Sequence, residues 1–149
     1  MVKLVSERAP AKINLYLRVV GRRDDGYHLL DSVMLPLSLH DEIALEMRDA
    51  RGSAISLNCD DPAIPADGRN LAVRAAAAFM EEFGIRADVS LQLKKKIPAG
   101  AGLGGGSSDA AAVLRAMAAM TRIDDPERLA RVAVELGADV PFFLDPRPA

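Results

Sequence analysis

Residues Pro98 to Ser108 concentrate the chemistry that this sequence can do. Five of them are glycines, and the last two are serines. A packed helix does not tolerate such a cluster, because each glycine costs about 1 kcal/mol relative to alanine. A bare backbone instead lets successive N–H groups point into one concavity that a phosphate can approach closely. The segment predicts a phosphate-binding loop with these contacts: Pro98, Ala99, Gly100, Ala101, Gly102, Leu103, Gly104, Gly105, Gly106, Ser107 and Ser108.

A helix is expected to follow this loop, starting near Ser107. Its unbonded N–H groups and the positive end of its dipole would then face a bound anion. Ser107 and Ser108 carry hydroxyls that can bond phosphate, and one of them could ligate Mg²⁺.

Other glycine-rich motifs fit the loop less well. A Walker A loop requires a lysine after its last glycine, where Ser107 stands. Gly100, Gly102 and Gly105 match G-x-G-x-x-G, but the preceding strand alternates, whereas a dinucleotide fold needs a continuously apolar one. The glycine loop of a protein kinase joins two strands, and this one leads into a helix. A flexible surface turn is the remaining alternative.

Lys94, Lys95 and Lys96 stand just before the loop. Their ordinary interpretation is a solvated strand end. The alternative is that one of them attracts an anionic nucleotide. Asp109, just after the loop, is interpreted as a first-turn acid that favours the helix dipole, ahead of a role as metal ligand.

The elements that must position the loop form one α+β domain over residues 1–149, a sheet packed with helices. Loose or strict alternation predicts five strands: Ile13–Val19, His28–Leu37, Glu42–Met47, Ala54–Cys59 and Ala87–Leu93. The second and third of these are expected to join around residues 38–41. The apolar run Phe142–Leu144 predicts a further short strand.

Three helices are expected between and after these strands. The first covers Leu71–Phe83, with Asn70 as N-cap and Gly84 as C-cap. The second, Asp109–Met120, is apolar almost all round, which is typical of a buried helix. The third covers Pro126–Leu136, capped by Asp124 or Asp125.

Composition excludes several classes of protein. The chain has 149 residues, half of them apolar, and a formal net charge of −2. This balance argues against a nucleic-acid-binding protein, which usually carries a basic excess. No apolar run is long enough to span a membrane, and the single cysteine, Cys59, is interpreted as packing. We therefore expect a cytoplasmic protein with no membrane partner.

Four segments together resemble one family. The glycine loop is similar to the second motif of the GHMP kinases, which include galactokinase, homoserine kinase and mevalonate kinase. Within that superfamily, Ala9–Leu15, Arg23–His28 and Leu136–Phe143 resemble motifs of the 4-diphosphocytidyl-2-C-methyl-D-erythritol kinases. The order and spacing of the four segments agree with that family across essentially the whole chain.

The resemblance implies a fold and an activity. The fold is that of the GHMP kinase N-terminal domain, a mixed, mainly antiparallel sheet with helices, similar to the second domain of ribosomal protein S5. The activity is transfer of the γ-phosphoryl group of ATP, with Mg²⁺, to the 2-hydroxyl of 4-diphosphocytidyl-2-C-methyl-D-erythritol. This reaction is a step in non-mevalonate isoprenoid precursor synthesis.

The resemblance also assigns roles to residues. Asp139 would be the general base, and Lys12 would pair with it and neutralise developing charge. Asn14 would bond the erythritol part, while Tyr27 would stack on cytosine and His28 would bond the edge of that ring. Four of these residues have a structural alternative. It is a turn for Asp139, a solvent-facing strand position for Lys12 and strand-start packing for Tyr27 and His28.

Members of the family are about twice this length and carry a second domain that completes the cleft. The resemblance therefore implies an N-terminal portion with reduced or no activity alone, and self-association through the surface that the second domain would cover. Three other functions stay open at this point: a GHMP kinase for another small alcohol, a non-catalytic nucleotide-binding module and an RNA-associated S5-like domain.

Overall fold

The computed structural model describes the backbone of residues 2–22 and 28–147, and the side chains of residues 2–15 and 33–147. A four-stranded sheet has the order β1-β2-β4-β3. Strands β1/β2 and β2/β4 are antiparallel, and β3/β4 are parallel. The elements are β1 (Val2–Arg22), β2 (His28–Asp49), β3 (Ile55–Cys59), α1 (Leu71–Phe83), β4 (Ala87–Lys94), α2 (Gly105–Thr121), α3 (Pro126–Leu136) and α4 (Val140–Leu144). The predicted α+β class with a mixed sheet is confirmed.

The helices cover one face of this sheet. Along β4 the side chains alternate, with Val89, Leu91 and Leu93 buried and the residues between them more exposed. Leu91 lies opposite Leu45 of β2 and Leu57 of β3, so the apolar positions of neighbouring strands align. One core forms where they meet α1 and α2, around Phe79, Leu114 and Met117. A strand with one polar face suits a sheet covered on one side only.

Local signals predicted several element ends correctly. The Asn70 side chain accepts a hydrogen bond from Ala72 N at 2.8 Å, and Gly84 ends α1 with a φ of 65°. Asp125 caps α3 through Arg128 N. Each of these caps depends on residues within a few positions, which is why sequence alone predicted them.

The strands of the N-terminal half are longer than predicted. β1 starts at Val2, because residues 2–9 pair with residues 41–48 of β2. The two strands predicted over His28–Leu37 and Glu42–Met47 are one strand, which continues through residues 38–41. A register irregularity between Pro10 and Lys12 absorbs the mismatch in that region. The predicted break failed because Asp41 is buried and bonded rather than solvated.

Two predictions about the second half are corrected. Helix α2 begins at Gly105, before the predicted start, so Gly105 and Gly106 form its first turn. Phe142–Leu144 is helical and belongs to α4, with Pro141 in its first turn. A three-residue apolar run has no periodicity to distinguish helix from strand. No helix among the described residues has the length and apolarity needed to cross a membrane.

Candidate active site

The glycine loop curves because three of its glycines adopt a left-handed backbone. The φ angles of Gly100, Gly102 and Gly104 are 72°, 74° and 73°. Such angles are costly for other residues, since their Cβ would approach the backbone. Gly104 directly precedes α2, and no side chain caps the helix there. The first N–H groups of α2 are therefore directed toward the loop, as an anion site requires.

A cavity of about 270 Å³ opens in front of this loop. Residues 98–106 form much of its wall. The other lining residues come from the connection before α1, the end of β4 and α2: Ile64, Arg69, Asn70, Leu71, Lys95 and Asp109. Arg69 and Asn70 were not predicted at this site. Asn70 was identified only as a helix cap, and nothing in its local pattern indicated the cavity.

The two serines of the predicted loop differ in their surroundings. Neither is among the residues that line the cavity. Ser107 is half-buried, while Ser108 is fully buried and its hydroxyl has no hydrogen-bond partner within the described part of the chain. Asp109 Oδ1 is likewise buried without a partner. A hydroxyl oxygen is a suitable ligand for Mg²⁺, so the first turn of α2 holds one unpartnered oxygen of the right kind, that of Ser108.

Behind the loop lies a buried cluster of three charged residues, Asp41, Lys95 and Asp109. The Lys95 ammonium donates to Asp41 Oδ2 at 2.6 Å and to Asp109 Oδ2 at 3.0 Å. Asp41 Oδ1 accepts the backbone N–H groups of Lys96 and Ile97 at 2.7 and 2.9 Å. We refer to these three side chains as the lysine cluster. It joins β2, the end of β4 and α2.

The three pKa values of the lysine cluster indicate where its charges lie. Burial raises the pKa of Asp109 to about 8, reinforced by Asp41 and opposed by the Lys95 ammonium. Burial also raises the pKa of Asp41, but its hydrogen bonds with Asp109, the two backbone N–H groups and Lys95 outweigh this and leave the pKa lowered. The pKa of Lys95 is raised because two carboxylates offset its burial. At neutral pH Asp41 is charged, Lys95 is charged and Asp109 holds a proton.

This arrangement revises the interpretation of the lysine run and of Asp109. Of the three lysines, only Lys95 has a side chain that is nearly buried, 8% exposed, and it forms the ion pairs described above. Lys94 is exposed, and Lys96 is exposed with its ammonium 3.8 Å from Glu42. The interpretation as a solvated strand end is therefore correct for Lys94 and Lys96 but not for Lys95. Asp109 lies inside α2 rather than at its start, so its predicted interaction with the dipole is replaced by a buried ion pair. Asp41 was not singled out by any motif.

Lys12 and the helix that follows Asp139 both pack against Gly104. Lys12 is 6% exposed, and its backbone N–H donates to Leu103 O at 2.9 Å. A Cβ at Gly104 would lie 3.2 Å from Lys12 Cγ and 2.8 Å from Phe143 Cζ. Asp139, half-buried, directly precedes α4, the helix that carries Phe143. No ion pair within 4.0 Å joins Lys12 to Asp139 among the residues described.

Arg115 ties together the two elements that carry these residues. From the middle of α2 it donates to the carbonyl of Phe143 in α4, to Arg8 O at 3.0 Å and to Glu7 Oε2 at 3.4 Å. Because Phe143 O is near the C-terminal end of α4, a guanidinium there satisfies a helix-end carbonyl. The contact fixes α4 relative to β1.

The remaining predicted residues are placed only in part. Asn14 lies two positions after Lys12 in β1 and is exposed. Regular pairing of Lys12 with Pro36 and of Asn14 with Met34 puts both on the same face of the strand, as predicted. Tyr27 lies outside the described residues. His28 begins β2, and its side chain is outside the described set.

Comparisons with known proteins agree with this geometry. The family described as "GHMP kinases N terminal domain" matches residues 70–145. A 4-diphosphocytidyl-2-C-methyl-D-erythritol kinase from Anaeromyxobacter dehalogenans is 51% identical over 143 residues, which are 95% of this chain and 45% of the relative. One from Chlorobium luteolum is 48% identical over 142 residues, 95% of this chain and 48% of the relative. The chain thus spans about half the length of the curated relatives it matches.

Solved structures extend this relationship to the fold. A crystal structure of 4-(cytidine 5'-diphospho)-2C-methyl-D-erythritol kinase superposes with a TM-score of 0.76 at 45% identity, covering 94% of this chain and 48% of that one. Homoserine kinase from Cytophaga hutchinsonii shares the fold, with 24% identity and a TM-score of 0.67. The matched region is 89% of this chain and 40% of the homoserine kinase chain. The family match includes α1, the glycine loop and α4, more than half of the sequence. The chain belongs to the GHMP kinases.

Proposed function

We propose that this chain is the nucleotide-binding portion of a kinase that uses ATP to phosphorylate the 2-hydroxyl of 4-diphosphocytidyl-2-C-methyl-D-erythritol. The observation that carries the proposal is the left-handed glycine loop at the start of α2, with Lys12 and the helix that follows Asp139 both packed against Gly104. The names of its relatives supply the acceptor.

The nucleotide is proposed to enter as its Mg²⁺ complex. Its phosphates would lie in the 270 Å³ cavity, against the N–H groups of residues 98–106 and the first turn of α2. When bound, Mg²⁺ neutralises phosphate charge, and oxygens at the start of α2, such as the Ser108 hydroxyl, are its candidate ligands in the protein. The loop and the helix dipole then hold the γ-phosphate in place.

The chemical step is proposed to occur on the Lys12 side of the loop. The acceptor oxygen forms a bond to the γ-phosphorus as the bond to the ADP oxygen breaks, and Asp139 takes the proton of the hydroxyl. Lys12 supplies positive charge next to the transferring group. Since the transition state is loose, placement of these groups matters more than the basicity of Asp139.

Three residues are proposed to select the cytidine substrate. Asn14, exposed on the same strand as Lys12, would bond the erythritol portion. Tyr27 would stack on the cytosine ring and His28 would bond its polar edge, a combination that suits a base with one polar edge and a π-face. These assignments rest on the sequence resemblance.

Calorimetry on the chain tests the nucleotide part of the proposal. MgATP is expected to bind at millimolar concentration, and Gly102→Pro is expected to weaken binding because proline cannot adopt a positive φ. The absence of binding by a well-folded chain would refute a nucleotide site at this loop.

A chimera tests the acceptor. This chain is joined to the C-terminal remainder of the Anaeromyxobacter dehalogenans relative, and ADP release is measured with three alcohols. Turnover is expected with 4-diphosphocytidyl-2-C-methyl-D-erythritol and not with homoserine or mevalonate. A preference for another alcohol would assign a different GHMP kinase activity. MgATP binding without turnover on any of them would favour a non-catalytic nucleotide-binding module.

A further inference from the structure

The lysine cluster has no part in the chemical step proposed above, although Lys95 and Asp109 line the nucleotide cavity. It is almost fully buried: Asp41 is 0% exposed, Asp109 is 2% exposed and the side chain of Lys95 is 8% exposed. Three buried ionisable groups in one cluster are expensive to desolvate. Their contacts show what they hold in place.

The first contacts fix the chain before the loop. Asp41 Oδ1 accepts the N–H groups of Lys96 and Ile97, and Lys95 N donates to Asp60 Oδ1 at 2.9 Å. The three residues that lead into Pro98 are therefore bonded to β2 and to the end of β3. This segment fixes where the loop begins.

The second contacts fix the chain after the loop. The Lys95 ammonium bonds Asp109 Oδ2 in α2 while it also bonds Asp41 Oδ2. A Cβ on Gly105 would lie 3.1 Å from Lys95 Nζ, so the ammonium lies directly against the first residue of α2. One side chain thus spans from the entry of the loop to its exit.

The loop itself has few other connections. Among the described residues, two backbone hydrogen bonds join residues 98–104 to the rest of the chain: Lys12 N donates to Leu103 O, and Ser108 N donates to Gly104 O. Glycines add backbone freedom that an unliganded loop must lose on binding. The separation of the two loop ends therefore governs how well its N–H groups converge.

We propose that Lys95 is a positioning residue: clamped by Asp41 and Asp109, it holds the entry and exit of the glycine loop at the spacing that binds the nucleotide phosphates. This inference rests on the proposed nucleotide site. The buried hydrogen bonds of this cluster specify one geometry, because their partners and distances are fixed. Lys95 acts through the backbone of the loop.

The test compares Lys95→Met with Lys96→Met, two adjacent lysines of which only the first is buried. Amide hydrogen exchange is measured on the nucleotide-free chain, and MgATP affinity is measured by calorimetry. Lys95→Met is expected to speed exchange across residues 99–106 and to weaken MgATP binding about 10-fold or more. Lys96→Met is expected to leave both within about 2-fold, since its ammonium is exposed.

General destabilisation is separated by Val132→Ala, a core change in α3 far along the chain from the loop. This variant should have a lower melting temperature than the parent chain. The ratio of amide exchange in the loop to amide exchange in α1, and the MgATP affinity, should both stay unchanged. If Lys95→Met raises exchange equally in all elements, or binds MgATP as tightly as the parent chain, Lys95 does not position the loop.

Asp109 variants test the exit contact if Lys95→Met does not fold. Asp109→Ala removes that contact and leaves the Asp41–Lys95 pair balanced in charge, whereas Asp109→Asn keeps an oxygen for the ammonium. Loop exchange is expected to rise in the alanine variant and to return toward the parent rate in the asparagine variant. Equal exchange in both would overturn the proposal. Failure of the parent chain to bind MgATP would reject the nucleotide site, while the exchange data would still judge the role of Lys95.

Discussion

The two sides of the candidate site hold their charges differently. On the side of the lysine cluster, Lys95 has two carboxylate partners and Asp41 accepts three N–H donors. On the other side, Lys12 is buried without an ion pair within 4.0 Å in the described residues, and the side chain of Asp139 forms no cap on α4. Groups whose charges are satisfied within the protein position other atoms. Groups left without partners are available to a substrate.

This difference also appears in what holds each side. The lysine cluster connects strands and a helix by bonds among its own side chains. The elements that carry Lys12 and Asp139 are joined by two contacts. Phe143 packs against Gly104, and Arg115 bonds α4 to β1. The side with Lys12 and Asp139 is therefore held by packing and by one arginine.

The largest expected effect is at Asp139. Asp139→Ala, measured in the chimera, should lower turnover about 10³-fold, because it removes the proposed proton acceptor and its placement, and a general base contributes between about 10² and 10⁴. MgATP affinity should stay within about 2-fold of the parent, since the residue is outside the nucleotide cavity. Turnover near that of the parent would remove Asp139 from the mechanism and, with it, the contrast between the two sides.

Gly104→Ala tests the contact between the loop and α4. Gly104 and Gly102 have similar positive φ angles, but only at Gly104 would a Cβ meet Phe143, at 2.8 Å. Strain from φ alone costs about 1–2 kcal/mol. Overpacking adds about 1–3 kcal/mol. Gly104→Ala should therefore lower the free energy of unfolding by about 3 kcal/mol in chemical denaturation, clearly more than the Gly102→Ala control. An equal loss of unfolding free energy in the two variants would show that Phe143 and α4 move aside at no cost.

Arg115→Met tests the arginine that ties α4 to β1. Leaving the Phe143 and Arg8 carbonyls without this donor should cost about 1–3 kcal/mol of stability. Arg128→Met is the matched control, since Arg128 also bonds a carboxylate and a carbonyl but is more exposed, and it should cost about 1 kcal/mol or less. Thermal unfolding of both variants gives the comparison, and a smaller loss at Arg115 would contradict the role given to it.

The last expected effect is a pH dependence at Asp109. Its pKa is raised to about 8, so between its ordinary value and pH 8 the folded chain keeps a proton that the unfolded chain releases. Stability contributed by this group is present at low pH and declines as pH rises toward 8, by at most about 1.4 kcal/mol per pH unit. Asp41, whose pKa is lowered, acts at more acidic pH.

Asp109→Asn removes this proton. Between pH 5 and pH 8 its melting temperature should rise relative to that of the parent chain, while the exposed Asp124→Asn should run parallel to the parent curve. A constant difference between Asp109→Asn and the parent across this range would mean that Asp109 is already ionised in the folded chain.

Much of the molecule was predictable because its signals are local. The caps of α1 and the alternation of β4 each depend on residues within one short segment, and the structure agrees with both. The resemblance of four motifs gave the family and placed Lys12 and Asp139 as candidates. Their roles stay predictions until turnover is measured.

Tertiary structure alone decided the rest. Three adjacent lysines are equivalent in the sequence, and only contacts with residues 54 positions earlier and 14 later single out Lys95. The continuation of β2 through residues 38–41, and the helix at Phe142–Leu144, depend on burial against distant elements. The sequence determined which groups are candidates to bind phosphate. Long-range packing determined which charges are neutralised inside the protein and which have no partner there, because burial and pairing are properties of the assembled sheet and helices.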